Sequence, residues 1–244
     1  MIKPENLLLI DIETVPFCKN YTDLTDNLQR LWDKKSQLIE KENPDTASTF
    51  ANRAGIYAEF GKIVCIGLGY FVKQTEQDSQ GQSYTLNLKS LFSHDEKELL
   101  QLFGQVCNKF FKHPDKQFCG HNIREFDIPY ICRRSFINQI ALPAVLVDLQ
   151  NKKPWENPML DTLQFWKFGE YKNFTSIDLL SNVLGIESPK DDIDGGDVAE
   201  VYWQQNDLQR IVTYCNKDIV TIAQVLMRLH SLPLLSETEI NYID

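Results

Sequence analysis

Short apolar runs along the chain predict four β-strands. Residues 7–10, all Leu or Ile, form an unbroken run and predict a strand buried on both faces. Residues 62–72 and 83–88 predict the second and third strands, and the polar residues 74–82 between them predict a hairpin turn. Residues 117–119 predict a short fourth strand.

Amphipathic spacing predicts helices between these strands. Residues 21–42 have Leu and Trp at helical spacing and lie within a predicted helical insertion at about 16–60. The capping-box pattern from Ser93 to Glu96 opens another helix, and a further helix begins near Asp127. No repeat, low-complexity tract or linker interrupts the pattern, so the sequence predicts one domain over residues 1–244.

The clearest helix is the last one. Asn206 is its expected N-cap. Tyr214 and Asp218 are four residues apart and therefore lie one turn apart on a common face. The apolar face beside them consists of Leu208, Val212, Cys215, Ile219, Ile222 and Leu226.

Composition and charge narrow the class of protein. The 244 residues are 43% hydrophobic and 24% charged, the ordinary balance of a soluble globular protein. The net charge of −9 argues against broad, sequence-independent wrapping of a nucleic acid backbone. No apolar run approaches the roughly 18 residues of a membrane span, and no secretion signal is recognised. These features predict a cytoplasmic protein.

The cysteines and a pair of glycines argue against two kinds of site. The six cysteines are scattered without a C-x-x-C pair, which predicts reduced, buried thiols and neither a zinc site nor disulfides. Gly67 and Gly69 form G-x-G, but Val72 occupies the position of the third glycine and no helix follows. A dinucleotide-binding turn is therefore not expected.

The candidate chemistry begins at the end of the first strand. Asp11 and Glu13 are separated by Ile12, so strand alternation projects both carboxylates to the same face. Two adjacent carboxylates are unfavourable there unless a positive charge neutralises them, and Mg²⁺ or Mn²⁺ suits such oxygen ligands. The alternative is a polar strand end in which Asp11 satisfies a turn. The pair alone does not decide between the two.

Acids in other parts of the chain are candidates for the same site. Asp127 lies near a helix start, where a carboxylate can interact with the helix dipole or bind a metal ion. Asp218 lies beside Tyr214 on the last helix. Asp161 resembles an N-cap, and we expect it to cap a helix in preference to binding a metal.

Three segments together resemble the motifs of the DEDD superfamily of 3′–5′ exonucleases, in its tyrosine-bearing branch. They are D-I-E at 11–13, N-I-R-E-F-D at 122–127 and Y-C-N-K-D at 214–218. The second is similar to the N-x-x-x-F-D of proofreading domains in family-B DNA polymerases, and the chain as a whole resembles stand-alone bacterial exonucleases related to that domain. The resemblance implies an RNase H-like α/β fold, with a mixed, twisted sheet of five to six strands and helices on both faces.

The resemblance also implies roles for individual residues. Two divalent cations, Mg²⁺ or Mn²⁺, would be held by Asp11, Glu13, Asp127 and Asp218. Asp11 would bridge both ions, Glu13 and Asp218 would complete the nucleophile side, and Asp127 would hold the second ion largely through water. Tyr214 would orient the attacking water by hydrogen bonding, since its high intrinsic pKa makes it a poor base.

Substrate contacts are expected around the same motifs. The resemblance implies that the backbone at Ile12 and Thr14 holds the 3′-terminal nucleotide. Asn122 either supports the second motif or contacts the terminal nucleotides, and the alternative is an amide that satisfies backbone groups at the strand end. His121 is expected to be structural, because the third motif carries a tyrosine at the position expected for the catalytic side chain. The aromatic residues that are candidates to stack bases, with core packing as the alternative, are Trp155, Trp166 and Phe168.

The expected function is metal-dependent hydrolysis of phosphodiester bonds from the 3′ end of single-stranded DNA, by a two-metal-ion mechanism. Two alternatives stay open at this point. One is an RNA 3′-end trimming nuclease on the same site, and the other is a non-catalytic nucleic-acid-binding module. The expected partner is nucleic acid, and no membrane partner is expected.

Overall fold

One six-stranded sheet organises the fold in the computed structural model, which describes residues 2–40, 45–78, 81–147, 149–153, 156–170, 172–187 and 192–243. The strands of these described residues are β1 (Leu7–Pro16), β2 (Gly61–Asp78), β3 (Gly81–Phe92), β4 (Gln117–Gly120), β5 (Met159–Asp161) and β6 (Ile240–Tyr242). Their order across the sheet is β5-β4-β1-β2-β3-β6.

The sheet is mixed, with β1 near its centre. β1 pairs antiparallel with β2 and parallel with β4, and β2 pairs antiparallel with β3. The outer strands β5 and β6 run parallel to β4 and β3. This arrangement confirms the predicted α/β class, and six described strands agree with the expected number.

The predicted strands are correct in position but not in extent. β2 continues to Asp78 and β3 starts at Gly81, so most of the polar residues predicted as a turn belong to the hairpin strands. The backbone bonds of an antiparallel ladder do not require apolar side chains, which is why the polar pattern is misleading here. β5 and β6 are not predicted, because three residues are too few to show an alternation.

The helices of the described residues follow the predicted order. They are α1 (Asp26–Ile39), α2 (Thr46–Arg53), α3 (Glu96–Phe110), α4 (Asp127–Ile137), α5 (Ala144–Val147), α6 (Thr162–Lys167), α7 (Ile177–Val183), α8 (Val198–Glu200) and α9 (Leu208–Leu229). A π-helical turn, Val201–Gln205, follows α8. In the described part of the chain, no helix combines the length and the apolar character that crossing a membrane requires.

Two predicted caps are displaced by one or two residues. The N-cap of α3 is Asp95, and the N-cap of α9 is Asp207 in place of Asn206. Asn206 itself adopts a left-handed conformation with φ of +55°. Ser93 and Glu96 do not form the predicted capping box, because the Glu96 side chain turns into the protein interior.

Helices cover both faces of the sheet, as the resemblance implies. On one face, Leu8, Ile10 and Ile12 of β1 pack with side chains of α3 and α4. On the other face, Leu7 and Leu9 pack with side chains of α9. Because β1 is buried on both faces, its unbroken apolar run has a direct structural reason.

The helical segment between β1 and β2 has a small core of its own. The ring of Trp32 in α1 is fully buried and meets Phe50 of α2 edge-on, with ring centroids 5.4 Å apart. Phe60 packs against the same ring at 5.0 Å. This segment therefore forms a satellite cluster beside the sheet, at the position of the predicted insertion.

The prediction of buried thiols is confirmed for four of the six cysteines. All six are free, and Cys65, Cys107, Cys119 and Cys215 are buried. Burial raises the pKa of Cys107 and Cys119, which favours neutral thiols.

Candidate active site

The carboxyl-terminal half of β1 carries the first two acids. The ladder between β1 and β4 ends at Leu9, so the rest of β1 extends beyond its parallel neighbour. Asp11 is half-buried opposite Gly67 of β2, and Glu13 is buried opposite Cys65. Both acids therefore lie at an end of the sheet that β4 does not cover.

The two carboxylates face α9. One oxygen of Asp11, one oxygen of Glu13 and the Sγ of Cys215 in α9 lie within 4.8 Å of one another. The two acids therefore share one side of the sheet, as the alternation of β1 predicts. Oxygen atoms this close can share a cation.

Asp127 is the first residue of α4 and directs its carboxylate toward β1. Its Oδ1 accepts a hydrogen bond of 3.1 Å from the backbone N–H of Ile12, the residue between the first two acids. Burial raises the pKa of Asp127 to about 7, and the negative charges of Asp161 and Asp218 add to this effect, while backbone donors oppose it. The second motif thus contacts the first directly and interacts electrostatically with the third.

Tyr214 and Asp218 complete the cluster from α9. Both side chains are buried on the side of the helix that faces the sheet. Burial raises the pKa of Tyr214 far above its usual value, and the negative charges of Asp218, Glu13 and Asp11 raise it further. The three motifs therefore lie in one region of the fold, although among the described residues only Asp11, Glu13 and Cys215 have ligand atoms within 4.8 Å of one another.

Two glycines of β2 allow α9 to lie this close to the sheet. A Cβ at Gly67 would lie 2.7 Å from the Sγ of Cys215, and a Cβ at Gly69 would lie 2.7 Å from the Cγ2 of Ile219. Since both distances are shorter than van der Waals contact, a side chain at either position would displace α9. The G-x-G pattern therefore has a packing role, in agreement with the argument against a dinucleotide site.

Cys215 belongs to the site, although the sequence analysis placed it only on the apolar face of α9. Its Sγ lies 3.7 Å from the Oδ2 of Asp11. A hydrogen bond with the thiol of Cys65, together with burial, raises the pKa of Cys215 well above its usual value. Cys215 is therefore a neutral thiol that donates to Asp11. The sequence did contain an indication that Cys215 lies at the site, because residues three apart on a helix share a face and Cys215 precedes Asp218 by three residues.

Asp161 shapes the site without joining it, as predicted. Its carboxylate caps α6 by accepting the N–H groups of Leu163 and Gln164. It also accepts the N–H groups of Asn122, at 2.9 Å, and Arg124, at 3.0 Å. One buried carboxylate thus fixes the turn that leads from β4 into α4.

His121 and Asn122 occupy that turn. The ring nitrogens of His121 lie 2.9 Å from the Oγ1 of Thr162 and 2.8 Å from the carbonyl oxygen of Thr175, which agrees with a structural role. Asn122 adopts a φ of +67°, a left-handed conformation that Asn tolerates better than most residues. Its Oδ1 is buried and has no hydrogen-bond partner among the described residues. This acceptor is therefore suited to a donor from a bound ligand.

The segment of Ile12 and Thr14 offers fewer substrate contacts than expected. The side chain of Ile12 lies in the core, and its N–H is used by Asp127. Thr14 is half-buried, and its side chain is hydrogen-bonded to the phenol of Tyr130. Substrate contact by these two residues stays a prediction.

Two of the three aromatic residues predicted to stack bases are described by the structure, and they lie away from the acids. Trp155 is outside the described residues. Phe168 is exposed and packs beside Phe165, which contacts His230 at the end of α9. His230 follows Tyr214 by more than four helical turns, roughly 24 Å along the axis. Phe168 is therefore too distant to stack on a nucleotide held at the acids, and half-exposed Trp166 belongs to the same short helix, α6.

A different aromatic residue lies beside the site. Phe174 is 63% exposed, and its ring centroid is 6.4 Å from that of His121. The next residue, Thr175, accepts the hydrogen bond of His121. Sequence periodicity gave no indication of Phe174, because it lies in a loop between α6 and α7.

Comparison with known sequences relates this chain to one family. Residues 58–237 match the sequence profile of a family described as predicted 3′–5′ exonucleases related to the exonuclease domain of PolB. The matched part spans most of the chain and contains Asp127, Tyr214 and Asp218, whereas Asp11 and Glu13 precede it. No curated protein sequence matches the chain.

Comparison with solved structures concerns the fold. The family B DNA polymerase of the hyperthermophilic archaeon Pyrobaculum calidifontis superimposes with a TM-score of 0.54 and 14% identity, over 91% of this chain and 24% of the polymerase chain. This chain thus spans about a quarter of the polymerase, and the similarity confirms the RNase H-like fold. E. coli Exonuclease I, in complex with a dT13 oligonucleotide, gives a TM-score of 0.39 and 12% identity, over 93% of this chain and 45% of that one. That similarity is too low to support a conclusion.

Proposed function

This chain belongs to the family of predicted 3′–5′ exonucleases related to the exonuclease domain of PolB, and we propose that it hydrolyses nucleotides from the 3′ end of single-stranded DNA with two divalent cations. The observation that carries the proposal is the convergence of acids from three distant segments. Asp127 binds the backbone between Asp11 and Glu13, and Asp218 acts electrostatically on Asp127. Membership of the tyrosine-bearing branch of the DEDD exonucleases is part of the same proposal, and the position of Tyr214 beside these acids supports it.

The donor set fits two hard cations. Asp11, Glu13, Asp127 and Asp218 would hold them, because carboxylate oxygens are the preferred ligands of Mg²⁺ and Mn²⁺. The raised pKa of Asp127 shows that this carboxylate is unfavourable in its charged form without a counter-ion. When bound, such cations lower the pKa of a water molecule and stabilise the charge that develops on the phosphate.

Tyr214 would position the attacking water. Burial raises the pKa of this phenol, which favours the protonated form that donates a hydrogen bond to the water. A Cβ placed on Gly195 would lie 3.8 Å from the Tyr214 hydroxyl, so the absence of a side chain there leaves room in front of the phenol. That space would receive the water and the scissile phosphate.

Asn122 and Phe174 would hold the terminal nucleotides. The buried Oδ1 of Asn122 supplies an acceptor, and the exposed ring of Phe174 supplies a face for stacking. Stacking on an aromatic ring needs an unpaired base and tolerates any base. These two groups therefore favour a single strand of any sequence as the substrate, and the choice of DNA over RNA is left to the experiment below.

The proposal is tested with 5′-labelled oligonucleotides and Mg²⁺ or Mn²⁺. We expect a ladder that shortens from the 3′ end of single-stranded DNA, and no ladder with the Asp11→Ala variant or with EDTA. Tyr214→Phe should slow cleavage strongly while the metal-induced rise in melting temperature is kept. Cleavage of matched RNA but not DNA would support the RNA-trimming alternative, and binding of DNA without shortening would support a non-catalytic module.

A further inference from the structure

A groove lies on the side of the sheet opposite the acids. It has a volume of about 690 Å³ and runs between the end of α3 and strands β1, β2 and β3. Its floor contains the buried side chains of Leu8 and Leu68, with Phe110 of α3 along one wall. Strand alternation places Leu8 with Ile10 and Ile12, whereas Asp11 faces α9. The groove is therefore separate from the candidate active site.

The rim of the groove is basic in a chain of net charge −9. Lysine side chains line it from three elements, and the lining includes no carboxylate among the described residues. Lys116 donates from Nζ to the backbone oxygen of Glu5 at 2.8 Å and lies 4.9 Å above the ring of Phe110. The basic groups of the rim are Lys89, Lys109, Lys112, His113 and Lys116.

We propose that this groove binds an acidic peptide segment of a partner protein, with an apolar side chain of that segment against Tyr70, Phe110 and Ile243. The lysines provide complementary charge for Asp and Glu side chains. Leu8 and Leu68 are only 2% and 3% exposed, so the apolar surface that a peptide side chain can cover comes from half-buried Tyr70 and Phe110 and from Ile243, which is 38% exposed. A nucleic acid strand held at the acids would lie on the opposite face of the sheet.

Fluorescence anisotropy with a labelled peptide tests the proposal. The probe is fluorescein-Asp-Glu-Phe-Asp-Leu-Asp, and we expect it to bind with an affinity that falls as salt is raised. Replacing Phe and Leu by Ser, or the four acids by Lys, should each abolish binding. The double variant Lys109→Glu/Lys112→Glu should weaken binding at least roughly tenfold, because both side chains are exposed at the rim.

A control variant with the same change in net charge separates the effect of the groove from the effect of overall charge. Lys34→Glu/Lys97→Glu changes two exposed lysines outside the groove, in α1 and in the first turn of α3, and should leave peptide affinity unchanged. The Lys109→Glu/Lys112→Glu variant should cleave short free oligonucleotides at the wild-type rate. A failure of the peptide-binding proposal can therefore be distinguished from a failure of the proposed nuclease activity. The proposal is wrong if the acidic peptide does not bind, or if the groove variant and the control variant bind the peptide equally well. It is also wrong if oligo(dT) displaces the peptide and the Lys109→Glu/Lys112→Glu variant binds oligo(dT) as weakly as it binds the peptide.

Discussion

Two regions of the molecule bury acids to a similar depth but surround them with opposite charge. Glu96 of α3 is 7% exposed, and the guanidinium of Arg134 donates to it from Nε at 2.9 Å. The N–H of Ile63 and the side-chain amide of Asn138 also donate to this carboxylate. The protein itself thus supplies the counter-charge and the hydrogen bonds that a buried acid needs.

At the end of β1 the neighbouring charges are negative. Asp127 is 3% exposed, and Asp161 and Asp218 raise its pKa beyond the effect of burial. Asp218, Glu13 and Asp11 raise the pKa of Tyr214 in the same way. Burial alone therefore does not distinguish a structural acid from a candidate metal ligand, whereas the sign of the surrounding charge does.

The largest effect is expected for Asp218→Asn. The variant should reduce cleavage of labelled single-stranded DNA on the order of 10³-fold, because a metal ligand is lost. In EDTA its melting temperature should not fall, since the change removes a negative charge near Asp127. The two measurements are the cleavage rate and thermal unfolding. If the variant loses stability but keeps full activity, Asp218 is a structural acid, as Glu96 is, and not a metal ligand.

The converse change is Arg134→Met, which leaves Glu96 without its counter-charge. We expect a loss of about 3–5 kcal/mol in the free energy of unfolding, measured with urea. The matched control is Arg133→Met on the next residue, whose exposed pair with Glu59 spans 3.8 Å and should contribute only about 0–1 kcal/mol. Equal losses for the two variants would contradict the structural role of the buried pair.

The pH dependence of stability should differ between the metal-free wild type and Asp127→Asn. Burial raises the pKa of Asp127 to about 7 in the folded state from 3.8 for an exposed aspartate, as in the unfolded chain, so the folded state binds more protons between these two pH values. Rising pH therefore lowers the free energy of unfolding in this window, and the penalty is complete above pH 7. Urea titrations in EDTA at pH 5 and pH 8 should show a smaller decrease for the variant than for the wild type. Parallel profiles would argue against the shifted pKa.

The smallest effect is expected at Cys215. Cys215→Ala removes the thiol that donates to Asp11 and should raise the Mg²⁺ concentration for half-maximal cleavage by up to roughly tenfold. Cys215→Ser keeps a donor and should restore the wild-type requirement, whereas a purely packing role would make the two variants similar. The Mg²⁺ titration of the cleavage rate measures this difference.

Several features that depend on local spacing were predicted correctly, although two helix caps and the extent of the hairpin turn were not. The apolar run of β1, the common face of Asp11 and Glu13, and the start of α4 at Asp127 all follow from residues near in sequence. Asp161 was assigned to capping for the same reason, and its bonds to the first turn of α6 confirm this role.

For features that depend on residues distant in sequence, the predictions were missing or wrong. The pattern around Ser93 indicates a helix start, yet Glu96 bonds Arg134, which lies 38 residues away. Cys215 has an ordinary place on an apolar helix face, and only the packing of α9 against Gly67 brings its thiol to Asp11.

The sequence by itself determined the elements and the kinds of side chain that they carry, because hydrophobic period, capping and motif spacing act over a few residues. The tertiary structure decided that Asp127 lies near Asp161 and Asp218, whereas Glu96 forms an ion pair with Arg134. It also decided that the N–H of Ile12 binds Asp127 and that the basic groove lies on the opposite face from the acids. Those relations arise from packing between segments distant in sequence, where electrostatic effects depend on distance and burial that a linear pattern does not contain.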